Sequence, residues 1–175
     1  MATCTINEVE CEFEDGQSIL AVAEAHGVEI PYYCWHPGLS VAASCRMCLA
    51  EVAAPSPRND GALETIPKLL PACQTPAAEG QVITTRSAKA RANQNSVMEM
   101  LLLNHPIDCP ICDQAGECGL QDYAYRYGRT GKRFEEEKIT QRKKDIGPHV
   151  LLYSDRCIMC TRCVRFTSEI TGTGE

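Results

Sequence analysis

No stretch of the 175-residue chain approaches the roughly 18 consecutive apolar residues that a bilayer-crossing helix needs, and the best run, residues 97–103, has Glu99 inside it. A membrane span is therefore not expected. The opening Met-Ala-Thr-Cys-Thr-Ile-Asn-Glu has neither a basic n-region nor an apolar h-region, so no secretory signal is read and an intracellular setting is expected. A strongly basic face is lacking as well. The formal net charge is -6, with 11 acids against 3 bases in residues 1–80 and 12 acids against 14 bases thereafter. Little is available to neutralise phosphates, which excludes nucleic acid as a partner. Catalytic signatures are also missing: no P-loop occurs, Gly172-Thr-Gly174 follows no strand and opens no complete G-x-G-x-x-G, and no nucleophile stands with a base and an orienting group. No catalytic residue is expected on this chain, so any flavin or nicotinamide is expected on another.

What the chain has is cysteine, 12 of its 175 residues, within otherwise ordinary globular polarity of 44% hydrophobic and 23% charged residues. In a secreted domain that density would read as a disulfide framework; in a reducing compartment it points to metal binding or redox chemistry.

Periodicity divides the chain. Residues 2–6 and 9–13 alternate, joined by a two-residue turn at Asn7-Glu8, which predicts a hairpin whose buried face carries Cys4, Ile6, Val9, Cys11 and Phe13. Ser18 is placed to cap a short helix carrying Ile19, Leu20, Val22 and Ala23, with Gly27 as its stop. Strands are predicted at 49–53 and 81–85, separated by a Pro/Asn/Gly-rich exposed loop at 54–60. These elements make a small α+β sheet domain. From Ser87 the period changes to about 3.6, giving a helix over 88–104 and another over 120–127. Residues 128–148 read as a solvated connector, followed by a short strand at 150–153.

Eleven residues form three groups by spacing. Cys34, Cys45, Cys48 and Cys73 stand as C-x10-C-x2-C-x24-C. Four thiolates suit a 2Fe-2S cluster or a tetrahedral zinc; one C-x2-C knuckle with two separate outliers favours two irons over a zinc ribbon. A loop past Gly38, Ala42 and Ala43 also lets backbone N–H groups approach bridging sulfides. His105, Cys109, Cys112 and Cys118 make H-x3-C-x2-C-x5-C, where three readings stay open: a His/Cys3 4Fe-4S cluster, a Cys3His zinc, and a histidine merely stabilising a helix C-terminus. Cys157, Cys160 and Cys163 form C-x2-C-x2-C, the opening of the bacterial ferredoxin signature, and fit three corners of a cubane. No cysteine follows Cys163, so a fourth ligand is expected beyond residue 175 and the chain is read as a fragment of a longer one.

Other conspicuous residues have plainer readings. Cys4 and Cys11 should face each other as core fillers. His36 reads as a loop hydrogen-bonding group, Tyr32, Tyr33 and Trp35 as packing that keeps water from the first group, and Arg142-Lys143-Lys144 as a solvated face.

Four stretches, Ile30-Pro-Tyr-Tyr-Cys34-Trp-His-Pro-Gly38, Cys45-Arg-Met-Cys48-Leu-Ala-Glu-Val52, Asn104-His-Pro-Ile-Asp-Cys109-Pro-Ile-Cys112-Asp-Gln-Ala-Gly-Glu-Cys118-Gly-Leu-Gln121 and Ser154-Asp-Arg-Cys157-Ile-Met-Cys160-Thr-Arg-Cys163-Val-Arg-Phe166, resemble the N-terminal part of the large peripheral-arm iron-sulfur subunits of NADH-quinone oxidoreductase, the respiratory complex I. The resemblance implies a plant-type ferredoxin-like (β-grasp) 2Fe-2S domain at 1–86, a small helical His/Cys3 4Fe-4S module at 87–128, and a connector with the start of a bacterial-ferredoxin-like 4Fe-4S module at 129–175. It implies cluster ligation by His105, single-electron relay within an oxidoreductase, and as partners a flavin-bearing NADH-oxidising subunit and other peripheral-arm subunits. The expected location is cytoplasmic, held at the inner face of the cell membrane through the complex. The gap between Cys48 and Cys73 is longer than the family suggests, so residues 55–68 are expected to be an inserted loop. The equivalent relay module of a NAD-linked hydrogenase or formate dehydrogenase resembles the chain over the same span, and a zinc-stabilised scaffold is the alternative of another class.

Overall fold

Alternation over the first thirteen residues produces the expected hairpin: β1 (Ala2–Ile6) and β2 (Val9–Phe13) pair antiparallel with Cys4 opposite Cys11. Asn7 and Glu8 both take positive φ, 48° and 74°, as a tight two-residue hairpin turn of primed type requires. The computed structural model describes residues 1–174. Within these, a mixed sheet runs in the order β2-β1-β6-β3-β4, where β3 is Leu49–Pro55, β4 Leu63–Thr65 and β6 Val82–Thr84, and β5 (Leu70–Pro71) pairs with β3 off that path. β1 and β6 run parallel; the other pairs are antiparallel.

Helix α1 (Ile19–Ala25) starts where Ser18 Oγ accepts the Ala21 N–H at 3.2 Å, and ends at Gly27, whose φ of +68° a side chain would resist. It buries Ile19, Leu20, Val22 and Ala23 in one core with Cys4, Ile6, Cys11, Phe13, Val52 and Ile83. Cys4 and Cys11 are thus core fillers, as read. Val9 is not: it is 43% exposed, because β2 is the edge strand and nothing covers its first residues.

The expected loop at 54–60 and the inserted loop at 55–68 need correction. β3 continues to Pro55, a 3-10 turn covers Pro57–Asn59, and β4 returns to pair Ala53 with Thr65, Ala54 with Glu64 and Pro55 with Leu63. The segment is largely a solvent-facing hairpin. Its composition reads as loop because all three residues of β4 are exposed and carry no apolar alternation.

The chain forms two compact units, one of residues 1–94 with 161–174 and one of residues 95–160. Helix α2 (Ala88–Asn104) begins with Ser87 Oγ accepting the Ala90 N–H at 3.1 Å. In the first unit Gln94, 1% exposed, donates to Thr85 O at 3.1 Å, while Thr85 and Asn7 exchange buried hydrogen bonds of 2.8 and 2.9 Å. The second unit contains α3 (Gly119–Tyr127) and a minimal strand pair, β7 (Lys144–Asp145) and β8 (Leu151–Leu152). The strand expected at 150–153 is therefore reduced to two exposed residues. The connector is exposed but tied down. Arg133 forks onto Glu99, Lys138 donates to Leu102 O and Leu103 O at 2.5 and 3.0 Å, and Asn104 Oδ1 accepts the Ile139 N–H at 3.1 Å. The Lys138 bonds occupy carbonyls that the end of α2 leaves without intrahelical partners. A last helix, α4 (Arg162–Glu169), lies in the first unit.

Candidate metal centres

The first group assembles on the sheet's β3 end. Cys48 immediately precedes β3, and Cys73 follows β5, whose pairing of Leu49 with Pro71 and Ala50 with Leu70 returns the chain to that strand. Ala72 fixes the return: its N–H donates to Cys48 O at 3.1 Å, and its carbonyl accepts the Leu20 N–H of α1 at 2.9 Å. The chain thus returns from the hairpin with Cys73 beside Cys48. Cys34, Cys48 and Cys73 are buried, and Cys45 is half-buried.

The four sulfurs come together as two hydrogen-bonded pairs, Cys34 with Cys45 and Cys48 with Cys73. Cys34 is pulled down to about 4, chiefly because the Cys45 S–H donates to its thiolate; burial opposes, and the Cys45 and Ser44 amides add to the fall. Cys45 is driven up by the same bond and by burial. Cys73 is lowered by the Cys48 thiol, and Cys48 is raised in turn, with burial and the neighbouring sulfur charges adding to the rise. The Cys34 charge also reaches both members of the other pair. Tyr33 N–H points at Cys45 Sγ at 3.5 Å. Thiolates are the form that binds metal, so loading such a set releases the remaining protons.

The second group lies on successive short elements of the second unit. His105 follows the end of α2, Cys109 opens a 3-10 turn, the Cys112 N–H closes it onto Cys109 O at 3.1 Å, and Cys118 stands at the start of α3. The turn joins Cys109 and Cys112; His105 and Cys118 flank it. All four are half-buried. Burial, then the Lys138 charge, and to a lesser degree Arg156, push His105 below the ordinary histidine range, while Asp108 opposes. Both effects favour the neutral ring, the form that ligates iron or zinc.

In the third group, Cys157 ends a 3-10 turn over Ser154–Arg156 and its sulfur accepts the Met159 N–H at 3.4 Å. Cys163 sits in the first turn of α4. Cys157 and Cys163 are exposed and Cys160 is half-buried.

Two features escaped sequence reasoning. Ala43, Arg46, Met159 and Thr161 hold φ of 47°, 58°, 57° and 61° although none is glycine. Each lies within or beside a cysteine loop. A left-handed residue re-aims the amides beside it, which suits an anionic sulfur-rich group and costs about 1 kcal/mol or more apiece. The second feature is α4. Arg162 Nη2 donates to Trp35 O at 2.6 Å, Arg165 donates to both Cys34 O and Ser40 O, and Glu169 accepts from the Ser40 N–H at 2.8 Å and from its hydroxyl. The spacing of Arg162, Arg165 and Glu169 along one helix face was the available signal.

His36 Nδ1 accepts the Gly38 N–H at 3.1 Å, the loop role expected of it, and Tyr32 packs edge-on against Trp35 at 5.3 Å. Among the described residues the Nε–H groups of Arg156 and Arg162 are buried without a hydrogen-bond partner, and each arginine directly precedes a cysteine. Partnerless donors beside cysteine-bearing segments, with amides turned toward sulfur, fit a group that offers sulfur acceptors. Among the described residues, no three His, Cys, Asp or Glu side chains converge closely enough to hold one single metal ion.

Residues 1–88, half of the chain, match the family model for the 2Fe-2S iron-sulfur cluster binding domain. The chain belongs to this 2Fe-2S iron-sulfur cluster binding family. Residues 94–133 match the NADH-ubiquinone oxidoreductase-G iron-sulfur binding region, and residues 147–175 the ferredoxin-like domain of NADH-quinone oxidoreductase subunit 3. It is 41% identical, over its whole length, to the G subunit of NADH-quinone oxidoreductase from Rickettsia conorii, covering 24% of that protein. Identity to the mitochondrial NADH-ubiquinone oxidoreductase 78 kDa subunit of Candida albicans is 43%, covering 98% of this chain and 22% of that one. The chain spans about a quarter of the length of these curated relatives. A crystal structure of a NAD+-reducing NiFe-hydrogenase in its H2-reduced state matches with a TM-score of 0.77 and 31% identity, over 95% of this chain and 65% of that one. The 2Fe-2S binding domain and the 4Fe-4S binding regions thus follow each other in the order of the three cysteine groups. No helix among the described residues is long and apolar enough to cross a membrane.

Proposed function

We propose that this chain is a multi-cluster electron relay of an NADH:quinone oxidoreductase, taking single electrons from a flavin-bearing, NADH-oxidising partner subunit and passing them toward quinone through other peripheral-arm subunits. The observation that carries the reading is the pairing of four thiols as Cys34 with Cys45 and Cys48 with Cys73. Two irons each need two protein ligands, and two sulfur pairs at the edge of one core supply them. A single tetrahedral zinc, with Zn–S of about 2.3 Å, would need all four to converge on one point. Bound clusters would supply reversible one-electron storage. The chain's residues hold them, exclude water with Tyr33 and Trp35, both buried, and set potentials through amides and charges at sulfur.

In this reading the ligands are Cys34, Cys45, Cys48 and Cys73 for a 2Fe-2S cluster, His105, Cys109, Cys112 and Cys118 for a 4Fe-4S cluster, and Cys157, Cys160 and Cys163 toward a second 4Fe-4S cluster. The modules are residues 1–86, 87–128 and 129–175. The complex holds the chain at the inner face of the cell membrane, without insertion of its own. Relatives named for NADH-quinone oxidoreductase match at 41–43% identity against 31% for the hydrogenase chain, which favours the respiratory reading.

The test substitutes cysteines singly in anaerobically prepared protein. Cys73→Ser is expected to abolish the reduced 2Fe-2S EPR signal, whereas Cys11→Ala in the hairpin core leaves it intact. An unchanged signal in Cys73→Ser would overturn the grouping.

A further inference from the structure

The side chain of Arg156 is placed where neither fold nor ligation requires a cation. Its backbone leads into Cys157, yet its guanidinium lies on the turn that carries the second group. Nη2 donates to Asp108 Oδ2 at 2.9 Å and to Ile111 O at 3.3 Å, and the guanidinium carbon stands 4.3 Å from the centre of the Tyr153 ring. Asp108 directly precedes Cys109, and Ile111 directly precedes Cys112. The Nε–H is buried and has no partner among the described residues. The ion pair is about four-fifths shielded from solvent on both sides, with side-chain exposures of 21% and 23%, so its charges act through a medium less screening than water.

We propose that Arg156 is a positioning residue of the second cluster site: it fastens the 108–112 turn, directs its buried Nε–H toward the sulfur held there, and raises the reduction potential of that site. The inference rests on the reading that His105, Cys109, Cys112 and Cys118 hold a 4Fe-4S cluster. Reduction adds one electron, with no bond formed or broken, and so adds one negative charge that a nearby cation stabilises. A donor to sulfur acts in the same direction. Asp108 does two things with opposite effects: it orients the guanidinium, and its own charge partly cancels that cation. A mere staple would hold the turn without any preferred sign of charge.

The sign distinguishes the two roles. In the assembled holoprotein, iron content and EPR-monitored midpoint potentials are measured for the wild type, Arg156→Gln, Arg156→Lys and Asp108→Asn. Arg156→Gln is expected to make reduction of the second cluster about tenfold less favourable, roughly 59 mV for a one-electron couple. Arg156→Lys, which keeps the charge but loses the fork, moves it in the same direction by less. Asp108→Asn moves it the opposite way, and the 2Fe-2S signal stays put in all three. Should Arg156→Gln fail to retain its iron, the opposed shifts of Arg156→Lys and Asp108→Asn carry the decision. Shifts of one sign in all variants, or no shift, overturn the role of Arg156. A wild type with a 2Fe-2S signal but no 4Fe-4S signal instead refutes the ligand assignment, and the proposal falls with it.

Discussion

Replacing Arg165 by alanine removes two hydrogen bonds from a guanidinium to main-chain carbonyls, those of Cys34 and Ser40, which bracket the loop that begins at the first cysteine of the first group. Hydrogen bonds to charged groups contribute about 1.5–3 kcal/mol when shielded. Arg165 is only half-buried, so about 1 kcal/mol for each is the appropriate scale. The loop then opens about 2 kcal/mol more easily, which at 1.4 kcal/mol per tenfold is roughly 30-fold. Hydrogen–deuterium exchange of the holoprotein reads this directly. The Leu39 and Ser40 amides, bonded at 3.2 Å to His36 O and at 2.8 Å to Glu169, should exchange roughly 30-fold faster. The Thr85 amide, bonded at 2.9 Å to Asn7 Oδ1 at the end of β6, should not change. Unaltered loop exchange, or uniform acceleration through the whole first unit, would refute the claim that α4 clamps this loop.

Two further outcomes are expected. His105→Cys replaces a neutral ligand by a thiolate, so the second cluster becomes harder to reduce, seen as a lower midpoint potential with the 2Fe-2S spectrum unchanged; a higher potential would contradict His105 as ligand. Cys4, 2% exposed, is pushed from 9.0 up to about 11 by burial, with the Cys11 and Glu79 charges adding. Below pH 9 the thiol is neutral whether folded or not; as pH rises from 9 toward 11 the unfolded chain ionises first, and stability falls by up to about 2–3 kcal/mol. Urea denaturation at stepped pH should show that slope and its loss in Cys4→Ala; equal slopes would exclude Cys4 as its source.

The elements legible from sequence are those fixed by local pattern. Hairpin alternation, the Ser18 cap and the period of α2 depend on residues a few positions apart, and each appears as expected. Cysteine spacing likewise supplies the grouping on which the proposed ligand sets rest. What it could not expose depends on distant partners: β4 exists because β3 offers an edge, and Ala72 reaches both Cys48 and α1 across the fold. The positive φ values at Ala43, Arg46, Met159 and Thr161 are set by the loops around them, since those residue types ordinarily avoid that region. Nothing in the sequence pairs Arg156 or Arg162 with a distant partner, and only the folded chain brings one to Asp108 and the other to Trp35.

The central claim is that these thiols and one imidazole hold iron and inorganic sulfide. Metal and acid-labile sulfide analysis, combined with EPR of anaerobically prepared, dithionite-reduced protein, tests it most directly. The account predicts iron and sulfide in comparable amounts, with a 2Fe-2S signal and a separate 4Fe-4S signal. Colourless protein that contains zinc and no redox-active signal would contradict it.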